Sequence, residues 1–97
     1  MYMSSQERKL NLDKRLIEVV KDSIHKILGT YGYIGVRLYL ERMKHLKLEE
    51  IPEKMDIFYQ SLSEILGEGG AKIIKEEIER NVSKYFNLKQ EKIAINN

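Results

Sequence analysis

Apolar residues return every three or four positions in four separate runs of this chain, the period of helices that each bury one face. In "LDKRLIEVVKDSIHKILG" the stripe is Leu16, Val20, Ile24, Ile27 and Leu28, with Asn11 or Asp13 as the cap and Gly29 as the stop. In "YIGVRLYLERMKHL", Ile34, Val36, Leu38, Tyr39, Leu40, Met43 and Leu46 cover much of the circumference. A helix of that kind is central, or is buried on both the core and a partner. In "KMDIFYQSLSEILG" the stripe is Met55, Phe58, Leu62, Ile65 and Leu66. In "GAKIIKEEIERNVSKYFNL", Ile74, Ile78, Val82 and Tyr85 share a face, with Lys75, Glu79 and Arg80 elsewhere.

Short connectors join the runs. "GTYG" links the first pair, and "KLEEIPEK" links the second, where Pro52 biases Ile51 away from helical backbone. Leu48 and Ile51 are expected to pin that loop to the core. Short connections favour antiparallel neighbours, so the pattern predicts an all-α, compact four-helix single domain over residues 1–97. Its core spans about 11–88, with frayed ends at 1–8 and 89–97. Ile93 and Ile95 stand at strand spacing in the tail, which leaves strand pairing with a partner as the alternative to fraying. No internal repeat stands out.

Composition changes this picture little. Ninety-seven residues hold one modest core, so oligomerisation is a live expectation. No apolar run approaches 18 residues and no apolar leader opens the chain, so neither a membrane span nor a signal peptide is expected. The chain has no cysteine, which removes disulfide and thiolate chemistry and fits a cytoplasmic setting. Charge is uneven. Residues 1–47 carry ten Lys/Arg against five Asp/Glu; residues 48–97 carry seven against ten. The two halves therefore attract, within a molecule or between two.

The sharpest motif is "GEGGAK", residues 67–72. A phosphate loop would need a Gly-Lys pair followed by Ser or Thr, and neither is present. The dinucleotide fingerprint fails as well, because Lys72 stands where its third glycine belongs and no strand precedes. Gly67 is instead expected to end a helix in the left-handed conformation, with Gly69 and Gly70 turning the chain. Gly29 and Pro52 are the other expected structural turn residues. His25 and His45 lack metal-ligand spacing, and the six serines (Ser4, Ser5, Ser23, Ser61, Ser63 and Ser83) form no nucleophile elbow. No catalytic, cofactor-binding or metal-binding residue is assigned, and the chain is read as non-enzymatic. Arg37, Arg42, Lys44 and Lys47 raise a second reading, a small nucleic-acid-binding regulator using the basic half. They scatter around their helix, so a protein partner is favoured. Six tyrosines point the same way, because the ring buries area while the hydroxyl keeps a hydrogen bond. The expected interface is Tyr31, Tyr33, Arg37, Tyr39 and Arg42, in a homodimer or with another protein.

One resemblance rests on Tyr39-Leu40-Glu41, on Leu48-Glu49-Glu50-Ile51-Pro52, on Phe58, and on Gly67-Glu68-Gly69-Gly70-Ala71. Together these resemble the Nitrosopumilus output domain family, small all-helical archaeal modules. About half the chain is covered. An extra glycine precedes Ala71, and Met55 stands where a second proline is expected. The resemblance implies an archaeal source, an all-helical fold and an output or interaction role in signal transduction. It implies no catalytic residues.

Overall fold

The pair "ILG" at residues 27–29 and "ILG" at 65–67 decides the shape of the molecule. In the computed structural model, which describes residues 4–95 and side chains as far as Tyr85, each of these glycines interrupts a long helix. Helix α1 runs Ser5–Met43 and α2 runs Met55–Ile95, with a 3₁₀ turn at Leu48–Glu53 between them. Gly29 has φ 76° and ψ 179°; Gly67 has φ 78° and ψ 169°. Only glycine adopts that region at no steric cost. A straight helix of 41 residues would run about 62 Å, yet the longest dimension of the molecule is 46 Å. The breaks are what fold each helix onto the core.

The described residues are all-α, as the periodicity predicts, but the count of four separate helices is corrected. There are two long helices and one 3₁₀ turn. "GTYG" and "GEGG" are not loops: a single residue in each leaves helical geometry, and the next resumes it. Each long helix thus has two arms, residues 5–28 and 30–43 in α1, and 55–66 and 68–95 in α2.

The start of α1 is also corrected. Ser4, not Asn11 or Asp13, is the cap: its Oγ accepts from the Glu7 N–H at 3.1 Å. Residues 5–8 and 89–95 are helical, while 1–3 and 96–97, which complete the expected frayed ends, lie outside the described residues. The strand alternative for Ile93 and Ile95 gives way to helix. At its other end α1 stops at Met43. His45 lies just past it with φ 52°. The Leu46 N–H then bonds the Leu40 carbonyl at 2.9 Å, and Leu46 is buried. Ile51 is fully buried in the 3₁₀ turn, where the Glu50 carboxylate accepts from the Lys47 N–H at 3.1 Å.

An internal repeat does exist. Shifting the chain by 38 residues carries Gly29 onto Gly67 and residues 20–40 onto 58–78. Buried Val20, Ser23, Ile24, Tyr33, Val36 and Leu40 then fall on buried Phe58, Ser61, Leu62, Ala71, Ile74 and Ile78. Beyond these twelve positions, only Leu46, Ile51 and Glu77 are buried among the described residues. The second glycine of each "ILGxxG" has its own reason. A Cβ on Gly32 would lie 2.4 Å from the Leu28 Cβ, and one on Gly70 would lie 2.8 Å from the Leu66 Cβ. Each unit is therefore arm, glycine break, arm, with the second arm crowding the leucine before the break.

Candidate interaction surface

Two polar latches join the repeats, and they exchange places under the same shift. Position 26 corresponds to 64, and position 39 corresponds to 77. The Lys26 ammonium donates to Glu77 at 2.9 Å, and the Tyr39 hydroxyl donates to Glu64 at 2.7 Å. Each contact runs from the first arm of one unit to the second arm of the other, the signature of an approximate twofold relation.

The chemistry of the two latches differs. Glu77 is buried and is held by Lys26, by Arg80, and by the Asn81 amide, which also reaches the buried Ser23 hydroxyl at 3.3 Å. The hydrogen bond from Lys26 holds its carboxyl below the usual range against the opposing cost of burial. Glu64 is more open. Lys44 reaches both of its oxygens, at 2.9 and 3.0 Å, and Tyr39 adds a third bond. These bonds lower the Glu64 pKa, Lys44 first, and raise those of Tyr39 and Lys44. In both groups a carboxylate on α2 holds a cation or hydroxyl from α1 or the residue that follows it, so each ties one helix to the other.

The residues expected at an interface separate into three groups. Tyr33 is corrected to the core: it is 8% exposed and stacks on His25 with ring centroids 4.1 Å apart. Its position one turn past the break turns it inward. Tyr39 is half-buried with its hydroxyl engaged by Glu64, and Arg37 is half-buried with its Nε unpaired among the described residues. Tyr31 and Arg42 remain on open surface, Tyr31 at 89% exposure. At 100° per residue, Tyr31, Ile34, Leu38 and Arg42 lie opposite the buried face of Val36 and Leu40. Sequence reasoning missed Ile34 and Leu38 as surface candidates, although they share that period with Tyr31.

The expected turn residues also divide. Gly29 and Gly67 make the breaks, Gly70 makes a close approach, and Pro52 sits in the 3₁₀ turn. Gly69 lies in ordinary helix with open space beside it, so it is corrected from a turn residue to a helical surface position.

Other surfaces offer less. An apolar cavity of about 160 Å³ lies between Leu12, Leu16, Val19, Val82 and Tyr85. A wider groove of about 440 Å³ passes Tyr59, Ser63, Glu68 and Lys75, with the Lys75 ammonium 5.4 Å from the Tyr59 ring centroid. Among the described residues, no group of three His, Cys, Asp or Glu side chains is placed to hold a metal ion. No described helix is long and apolar enough to cross a membrane. Comparisons with protein-family models, curated proteins and solved structures find no match to this chain.

Proposed function

We propose that this chain is a non-enzymatic helical interaction module that self-associates. The observation that carries the reading is the outer face of residues 30–43, where Tyr31 is 89% exposed beside exposed Ile34 and half-buried Leu38. Tyrosine flanked by aliphatic residues and an arginine is the composition of interface centres. The resemblance to the Nitrosopumilus output domain family extends this reading to an output role in archaeal signal transduction, in the cytoplasm. The nucleic-acid alternative has weaker support. Of its four basic residues, Lys44 is engaged by Glu64 and Arg37 is half-buried, leaving Arg42 and Lys47 exposed.

Light scattering coupled to size exclusion tests the proposal across 10 to 500 µM protein, a range chosen for weak association. The expected result is a mass that climbs from monomer toward dimer. A monomer mass throughout overturns it.

A further inference from the structure

We infer that the partner on this face is the same face of a second copy, with the two 30–43 arms packed antiparallel across a twofold axis. The inference deepens the self-association reading and rests on it. Three observations beyond exposure carry it.

The first is Gly35. It lies in helical backbone on the outer face, and a Cβ there would meet nothing within 4 Å. It therefore has none of the reasons that explain Gly29, Gly32, Gly67 and Gly70. Glycine in a helix interior is destabilising and lets another group approach closely; Gly69 is equally open but sits between exposed Glu68 and Lys72, whereas Gly35 sits between exposed Ile34 and half-buried Leu38. The second is the repeat. Under the 38-residue shift, Tyr31, Ile34, Gly35 and Leu38 become Gly69, Lys72, Ile73 and Glu76. The fold tolerates charge and bulk at these places, so the apolar surface and the gap at 35 belong to this arm alone.

The third is self-complementarity. A twofold axis between Val36 and Arg37 sets Leu38 of one copy against Gly35 of the other, a side chain into a gap. The same axis sets Arg42 of one copy beside Tyr31 of the other, where guanidinium and ring attract. Each of these pairs occurs twice, as an isologous interface requires. Fourteen residues of helix present only about 21 Å of length, so the contact belongs to the small, weak class of interfaces.

Three variants test this in the full chain. Gly35→Leu removes the gap while improving helix propensity. It is expected to raise the melting temperature of dilute protein and to abolish the mass increase at high concentration, opposite effects that misfolding cannot produce. Tyr31→Ala is expected to weaken association roughly tenfold, whereas Lys72→Ala leaves it unchanged. Because the chain has no cysteine, Leu38→Cys is expected to join two copies through a short bis-maleimide linker, and Lys72→Cys is not. A dimer that persists in Gly35→Leu and Tyr31→Ala overturns the assigned face while self-association stands. A wild-type chain that is monomeric throughout overturns both.

Discussion

Residues 20–40 and 58–78 bury the same six positions around the same glycine break, yet only five of their twenty-one residues are identical. The difference shows which features the architecture demands. Ser23 and Ser61, Ile27 and Ile65, Leu28 and Leu66, and the two glycine pairs are retained. The rest of the buried set changes in size, with Val20 answering Phe58 and Tyr33 answering Ala71. At these two places a large residue in one unit corresponds to a small one in the other, and all four lie in one core. The outer faces diverge completely. The first unit turns Tyr31 and Leu38 outward, and the second turns Gly69 and Glu76 outward.

Core truncations probe that correspondence with the largest effects. Phe58→Ala is expected to cost about 3 to 5 kcal/mol, because Phe58 is fully buried and its cavity has few routes to collapse. Leu40→Ala and Ile78→Ala remove equivalent side chains and should each cost about 2 to 5 kcal/mol, with values close to one another. Urea denaturation at low protein concentration measures all three. A large gap between Leu40→Ala and Ile78→Ala would mean that the repeat governs burial without governing energy.

The glycines come next. Gly32→Ala and Gly70→Ala each force a Cβ against the leucine before the break and should cost about 1 to 3 kcal/mol, the usual range for overpacking. Gly32 should be the worse, since its clash is closer, at 2.4 Å against 2.8 Å. Gly29→Ala and Gly67→Ala place an L side chain at φ near 77° and should also cost about 1 to 3 kcal/mol. Gly69→Ala, in open helix, should instead stabilise by about 0.5 to 1 kcal/mol. A destabilised Gly69→Ala protein would restore Gly69 as part of the turn.

These glycines also mark what the sequence made legible. The period of Leu16, Val20 and Ile24, or of Phe58 and Leu62, was enough to assign helix and its buried side. The interruptions at Gly29 and Gly67 were legible because a glycine after a leucine-ended stripe commonly marks one, though the ψ of 169° at Gly67 is not that of the left-handed cap expected there. That the chain resumes helix at the next residue was not legible, since Thr30 and Glu68 carry no capping signal distinct from a loop. The repeat was hidden because burial constrains polarity and summed volume more than identity. The surface was read in part. Tyrosine count pointed to the right arm, but it could not separate Tyr33, turned inward onto His25, from Tyr31, turned outward. The two latches were unreadable, as they join residues 51 and 25 positions apart whose types alone suggest solvated charge.

The smallest effects separate those latches by pH. Glu77 and Glu64 both have their pKa values lowered by hydrogen bonds, chiefly from Lys26 and from Lys44. A carboxyl with a lowered folded pKa binds protons less readily in the folded state. Its contribution is present above the ordinary value near 4.5 and is lost as pH falls through the folded value. Both latches therefore weaken on acidification below that point. On the alkaline side they differ. Lys44 and Tyr39 have raised pKa values through Glu64, so they favour the protonated forms in the folded chain. That contribution is complete below about pH 10 and fades as pH rises through the raised values. Glu64→Gln is thus expected to flatten the stability profile at both ends. Glu77→Gln should flatten only the acid end while lowering stability more at neutral pH, because the amide keeps one acceptor oxygen where Lys26, Arg80 and Asn81 shared two, and lacks the charge that pairs with Lys26 and Arg80. Thermal melts from pH 3 to 11 on the two variants measure this. An alkaline profile unchanged by Glu64→Gln would show that the Tyr39–Glu64–Lys44 group does not tie the first arm of α2 to the second arm of α1 in solution.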